Sequence, residues 1–221
     1  MTHSDQLLPH GRVLRYAFHE RAWHWVAGLS YIYLLLSGLA FWSPWLFFWL
    51  TSLLGGGQIA RTYHPWFGVA FAIAVGAMYV MWSKQMGVTD VDRAWFQSVG
   101  YYIQNEDEKM PPAGRYNAGQ KSLFWGFAVC GALLLVTGIF MWIPQYFAWH
   151  SVLAMRIATI IHASAALLTI GLFLIHVYMG VFAERGAFGS VIRGDVSLTF
   201  ARRYHPAWYK EITEQPASPK K

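Results

Sequence analysis

Charge is scarce in this chain of 221 residues: Asp, Glu, Lys and Arg make up 13%, about half of what soluble domains carry. Cysteine is scarcer still. The single thiol, Cys130, excludes an intramolecular disulfide, a thiolate zinc site and a cysteine-ligated iron–sulfur cluster. Residues 1–21 lack an apolar run, so no cleavable signal peptide is expected. What fills the chain is apolar: 56% of residues are hydrophobic and 18% aromatic, with 12 Trp, and mean hydropathy is +0.31. That composition excludes a disordered chain, a collagen-like repeat and an ordinary soluble enzyme domain.

Four stretches hold no charged residue: 22–60, 62–83, 122–155 and 157–183. About 20 apolar residues cross a bilayer, so each holds one span. The first and third are cut by proline at Ser43-Pro44 and Ile143-Pro144, where helices end or kink. The expected spans are 23–42, 63–83, 122–142 and 157–182. The remnants 45–54 and 145–155 are too short to cross and are expected on one side, as interfacial segments or a docking surface. Of the 17 Lys and Arg, 15 fall before span 1, between spans 2 and 3, or after span 4. The positive-inside rule then puts both termini and the 84–121 loop in the cytoplasm. The net charge of +6 is therefore topological, and nucleic acid is not an expected partner. The organisation read this way is a cytoplasmic segment 1–21, a membrane domain 22–183 and a cytoplasmic tail 184–221. SGLAFWSP (37–44) and TGIFMWIP (137–144) repeat at an offset of 100, through either duplication or convergent span endings.

Nine histidines are present. For His3, His10, His19, His150 and His205, in the termini and an outer loop, a solvated or interfacial side chain is expected. His24, His64, His162 and His176 lie within spans, where an ionisable side chain signals function. His162 and His176 are fourteen residues apart on span 4, on nearly one face and roughly 21 Å apart along the axis. The span directions put His24 beside His176 at the inner end and His64 beside His162 at the outer end. Two stacked haems, each held by two histidines, fit such a bundle. With no CxxCH run for covalent attachment, they are b-type. The residue four positions after each histidine is small (Gly28, Gly68, Ala166 and Gly180), which leaves room for a macrocycle, and Gly38 shares the His24 face. The competing readings are histidines that bond between helices and a zinc site, which ordinarily takes three or four ligands. Two axial histidines close iron to oxygen, so the chemistry expected is one-electron transfer across the membrane.

The run RYNAGQK (115–121) precedes span 3. Asn117 and Gln120 have the spacing of a capping box; they are also neutral amides able to bind a quinone carbonyl, and both roles are compatible.

The chain resembles the gamma subunits, cytochrome b, of membrane-bound bacterial formate dehydrogenases. The matching segments are RAWHW (21–25), RTYHPWFG (61–68), RYNAGQK (115–121), IHASAA (161–166), IHVYMG (175–180) and HPAWYKEI (205–212). The histidine pattern is shared with hydrogenase cytochrome b subunits; YNAGQK and HPAWY are more particular to the formate dehydrogenase branch. The resemblance implies an all-α integral membrane protein of the bacterial inner membrane, with two haem b groups on His24, His64, His162 and His176. It further implies a quinone site (menaquinone or ubiquinone) at the inner haem, using Asn117, Gly119 and Gln120. An iron–sulfur beta subunit would deliver electrons from a molybdenum- or tungsten-containing alpha subunit that oxidises formate. The alternatives are the same device serving a hydrogenase or other periplasmic oxidoreductase, and a non-redox membrane anchor or transporter.

Arg61 and Arg156 are the only Lys or Arg expected outside. They precede His64 by three residues and His162 by six, so one or both are expected to neutralise haem propionates; Arg21 stands similarly before His24. The alternative is an arginine that snorkels at the span boundary or pairs with a partner subunit.

Overall fold

The computed structural model describes residues 5–104, 106–147 and 151–214; His3 and His150 lie outside the described residues. In chain order the elements are β1 (Leu7–Leu8), β2 (Arg12–Leu14), α1 (Phe18–Trp42), α2 (Pro44–Leu53), α3 (Gly57–Trp82), α4 (Asp90–Gln97) and α5 (Val99–Ile103). They continue as α6 (Ala118–Trp142), α7 (Val152–Tyr178), α8 (Ala187–Ile192), β3 (Asp195–Ser197), α9 (Leu198–Tyr204) and α10 (Pro206–Glu214). A π-helical turn, Met179–Ala183, prolongs α7. Four helices are long and apolar enough to cross a membrane. They correspond to the four expected spans, but all begin four to six residues earlier. A charged residue within the first five positions of each helix (Glu20 and Arg21, Arg61, Lys121, Arg156) sets the later start that a hydropathy reading gives. In α1, for example, Glu20 reaches back to accept from the Ala17 amide at 2.7 Å, closing the first turn.

The chain divides into two compact units, Ala22–Met81 with Trp125–Ile175, and the remainder. In the first, α1, α3, α6 and α7 meet at Tyr31. Its ring packs on Phe71, Phe127 and Phe173, and its hydroxyl donates to Thr169 Oγ1 at 3.2 Å. The outward faces carry Leu29, Val80, Val136 and Leu168 at 61–75% exposure. Large apolar side chains this open on every long helix suit lipid rather than water. Pro44 starts α2, where a missing amide is harmless, whereas Pro65 sits inside α3 and leaves the Arg61 carbonyl without its usual donor.

The second unit adds a detail that the all-α expectation did not include. A small antiparallel sheet, ordered β1-β2-β3, pairs Leu7 with Val13 and Val13 with Val196. The turn between β1 and β2 needs positive φ at His10 and Gly11. Arg12 grips Asp195 through two bonds of 2.6 and 2.8 Å. Val13, Val196, Phe200, Ala201, Trp208 and Ile212 form this unit's core. The termini thus share one core here, where the sequence reading kept them as separate segments. Two- and three-residue strands have no periodicity to read, which is why the sheet was missed.

Candidate functional site

His64 on α3 and His162 on α7 face one another, with ring centroids 6.4 Å apart and planes at 55°. Each ring is fixed from behind by a hydroxyl on a neighbouring helix. His64 Nδ1 lies 2.6 Å from Ser37 Oγ, and His162 Nδ1 lies 2.9 Å from Thr137 Oγ1. Both hydroxyls also donate to the carbonyl four residues back, Tyr33 O at 2.7 Å and Leu133 O at 2.6 Å. A hydroxyl whose one hydrogen is engaged accepts through its lone pairs, so Nδ1–H is the donor in each pair. That assignment leaves Nε2 of both rings with a lone pair for a metal. The next residues, Gly38 and Gly138, let the rings lie against the backbone. An added Cβ would stand 3.8 Å from His64 Cε1 and 3.3 Å from His162 Cε1.

The donor set fits a bis-histidine iron. Metal–imidazole bonds of about 2 Å on either side, with the half-widths of two rings, span about the observed centroid separation. Among the described residues no three His, Cys, Asp or Glu side chains converge. The offset-100 repeat acquires a structural meaning: Ser37-Gly38 and Thr137-Gly138 are equivalent supports for two different histidines. Sequence reading saw the repeat and left duplication and convergent span endings open, without a role for these hydroxyls.

His24 lies in the second turn of α1 and His176 near the end of α7. An added Cβ at Gly28, Gly68 or Gly180 would meet nothing within 4 Å, so the room inferred beside His24, His64 and His176 is there. His10 and His19 are exposed as expected. His205 is not. It is fully buried, its Nδ1 donating to Gly114 O at 2.8 Å, edge-on to Trp208. Burial and the charge of Arg15 push its pKa well below the usual value. Its position in a polar tail concealed that the tail folds around a core of its own.

The 115–121 run forms the capping box at the start of α6. Gln120 N donates to Asn117 Oδ1 at 2.9 Å, and Asn117 N donates to Gln120 Oε1 at 3.2 Å. Both side-chain oxygens are therefore engaged, and what each amide retains for a ligand is its nitrogen. Gln120 Nε2 has no partner among the described residues, whereas Asn117 Nδ2 donates to Glu184 Oε1 at 3.3 Å. The same Glu184 oxygen accepts from Tyr102 OH at 2.6 Å. Gly119 is small because Trp95 lies over it: an added Cβ would stand 3.4 Å from both Trp95 Cη2 and Asn117 Oδ1. The sequence reading missed Glu184, Tyr102 and Trp95. The available signal was Glu184 itself, the first charged residue after the fourth apolar stretch.

Flanking residues lock this run in place. Arg15 Nη2 donates to Arg115 O at 2.8 Å, and Arg115 Nη2 returns a bond to Arg15 O. Arg115 also reaches Asp5 at 3.5 Å, and Lys121 binds Asp92 at 2.7 Å. Burial alone raises the Asp92 pKa, but hydrogen bonds from Lys121 and Thr89 outweigh it and hold the carboxyl below its ordinary range. A hollow of about 580 Å³ opens here, lined by Arg115, Tyr116, Ala118 and Lys121 but not by Asn117, Gly119 or Gln120.

Arg61 is exposed at the edge of a second hollow, about 340 Å³, with Ala40, Phe41, Pro44 and Phe47. Three residues before His64, it shares that histidine's side of α3. Arg156 is exposed on α7; six residues before His162, it is turned about 120° from that ring. Neither makes an ion pair among the described residues. Arg21 donates to Ile192 O at 2.6 Å, so its guanidinium is held by the tail.

Four membrane-length apolar helices, with facing histidines whose outer nitrogens are tied back, define a multi-pass membrane protein of the b-cytochrome class. The chain belongs to the prokaryotic cytochrome b561 family, which it matches over residues 15–194. It is 34% identical over 205 residues to the nitrate-inducible formate dehydrogenase cytochrome b556(Fdn) subunit of Escherichia coli (strain K12), covering 93% of this chain and 94% of that protein. It is 33% identical over 201 residues to the formate dehydrogenase cytochrome b556 subunit of Haemophilus influenzae, with 90% and 83% covered. Against the cytochrome b556(fdo) subunit of E. coli K12 the identity is 32%, with 90% and 93% covered. These relatives carry the name that the sequence motifs suggested, and membership of a cytochrome b family implies haem b.

Proposed function

We propose that this chain is the di-haem cytochrome b subunit of a formate dehydrogenase complex. It accepts electrons at an outer haem from an iron–sulfur subunit, conducts them across the inner membrane, and reduces quinone on the cytoplasmic side. The observation that carries the reading is the His64–His162 pair, with rings 6.4 Å apart and each Nδ1 held by a hydroxyl. The relatives' role as formate dehydrogenase subunits supports the choice of complex. Haem bound between two histidines supplies one-electron transfer and no open coordination site.

His64 and His162 hold the outer haem. His24 and His176 hold the inner one, assigned from their helical register on α1 and α7. Arg61, on the His64 side of its helix, neutralises an outer propionate, with Arg156 as the second, less well-aligned cation. Asn117 and Gln120 bind quinone through their amide nitrogens, and Gly119 keeps the approach narrow beneath Trp95. Both termini lie in the cytoplasm, by the distribution of positive charge.

Two measurements test this. Pyridine haemochrome assay of the purified complex should give two haem b per chain, and molybdenum- or tungsten-containing and iron–sulfur subunits should copurify. One haem or none defeats the ligand assignment; a hydrogenase large subunit in their place redirects the chain to another complex. In Asn117→Leu and Gln120→Leu, both haems should still reduce while reoxidation by quinone slows ten-fold or more, since a lost buried hydrogen bond costs about 1–3 kcal/mol. Wild-type reoxidation in both variants would leave these residues with capping alone.

A further inference from the structure

Quinone reduction consumes protons as well as electrons, and the structure offers a group placed to carry them. Glu184 follows the π-helical turn at the end of α7, its amide bonded five residues back to Met179 O at 3.0 Å. Such turns are rare and recur at functional sites. Its side chain is 4% exposed, as is that of Asn117, whereas Tyr102 on α5 is only half-buried. Tyr102 OH and Asn117 Nδ2 both donate to Glu184 Oε1, at 2.6 and 3.3 Å. The arrangement therefore runs from a partly solvated phenol, through a buried carboxyl, to a buried amide already proposed to hold quinone.

The other acids on this run are differently employed. Asp92 binds the Lys121 ammonium at 2.7 Å, and a carboxylate fixed to a cation exchanges protons poorly near neutral pH; Asp5 bonds to Arg115 and Trp208 rather than to Asn117. Glu184 counts two neutral donors among its partners, the Tyr102 hydroxyl and the Asn117 amide. The Asn117 amide has two hydrogens and Glu184 takes one, so a carbonyl oxygen bound by the other stands beside the carboxyl.

We propose that Glu184 is the proton carrier for quinone reduction, recharged from cytoplasmic water past Tyr102; this rests on the quinone site proposed above. Each quinone gains two electrons from the cytochrome and two protons, converting both C=O groups to C–OH and the ring to an aromatic quinol. For each proton, the Glu184 O–H bond breaks as an O–H bond forms on the quinone oxygen. The carboxylate then regains a proton from water, with Tyr102 holding it in orientation. Two such cycles balance the reaction.

The test uses the purified complex, reduced with dithionite and mixed with a short-chain naphthoquinone or benzoquinone across pH 5.5–8.5. Glu184→Gln keeps an acceptor oxygen for both Tyr102 and Asn117 but cannot exchange a proton. It should retain both haems, reoxidise about a hundred-fold more slowly, and lose any pH inflection the wild type shows. Glu184→Asp should recover part of the rate together with the inflection. Infrared difference spectra on reduction should show a carboxyl C=O band that the Gln variant lacks. Tyr102→Phe, which keeps the ring packed on Trp95 at 4.9 Å, should slow the rate more mildly. A Gln variant with the wild-type rate overturns the proposal. So does one that slows while keeping the wild-type pH profile and carboxyl band, since Glu184 would then only prop Asn117. A wild-type complex that quinone does not reoxidise at all defeats the underlying quinone site instead, and is seen before any Glu184 variant is made.

Discussion

The two compact units of this chain handle polar groups in opposite ways. In the unit of Ala22–Met81 and Trp125–Ile175, hydroxyls such as Ser37, Thr137 and Thr169 turn back onto carbonyls of their own helices. They then have lone pairs left for one neighbour, His64, His162 or Tyr31. In the other unit, side chains reach across long sequence separations: Arg15 to Arg115, Asn117 to Glu184, Trp208 to Asp5. Lipid explains the difference. A spanning helix must satisfy its backbone within itself, so its polar side chains are few and bond mainly to their own helix and one neighbour. A unit with strands and short helices satisfies itself through tertiary contacts, and there the polar side chains hold the fold together as well as the site.

The largest effect that would test this contrast is loss of a haem without loss of the fold. His162→Ala or His64→Ala should remove the outer haem and halve the haem content. The four-helix unit should persist, because its packing centres on Tyr31 and Phe71 rather than on the histidines. Spectra should retain one b-type signal. A variant that loses both haems, or fails to accumulate in the membrane, would mean that ligand and core are not separable here.

The same contrast explains what could be read from the sequence. The four spans, the membrane class and the meeting of His64 with His162 were legible from charge and helical register, because in a bilayer those two properties dominate. The capping box at Asn117 and Gln120 was legible too, being local. Ser37 and Thr137 were visible only as a repeat, since nothing in a hydroxyl's spacing says which histidine it meets. The contacts of Glu184, Tyr102 and the buried His205 were not legible because their partners are 67, 82 and 91 residues away in sequence. The helix starts were missed by four to six residues because hydropathy marks the lipid slab and the helices continue past it.

A smaller effect should come from pH, through the unit built on tertiary contacts. His205 is buried and neutral, and burial with the Arg15 charge depresses its pKa well below the usual 6.5. The unfolded chain therefore binds a proton that the folded chain refuses. The stability from this group is complete above about pH 6.5 and is lost as pH falls below it, by at most about 1.4 kcal/mol per pH unit. Asp5 acts the other way, because burial outweighs Arg115 and raises its carboxyl pKa, so acid strengthens its contribution. His205→Asn, whose amide can still donate to Gly114 O, removes the histidine contribution and leaves that of Asp5. Its melting temperature should fall less than that of the wild type between pH 7 and 5.5. Parallel curves would show that His205 protonation does not limit this unit.

The smallest effect belongs to the hydroxyls behind the outer ligands. In Ser37→Ala and Thr137→Val the Nδ1–H of His64 or His162 loses its acceptor. An imidazole that donates from Nδ1 has partial imidazolate character and favours ferric iron, so removing the acceptor should raise the outer potential. A neutral hydrogen bond is worth about 1 kcal/mol net, which limits the rise to about 40 mV for a one-electron couple. Redox titration of the two b-type signals should show this shift in one and none in the other. If Ser37 and Thr137 serve opposite ligands of one iron, as proposed, the double variant should move that one signal by roughly the sum of the single shifts. If the two variants moved different signals, His64 and His162 would not share a haem, and the outer pairing would have to be redrawn.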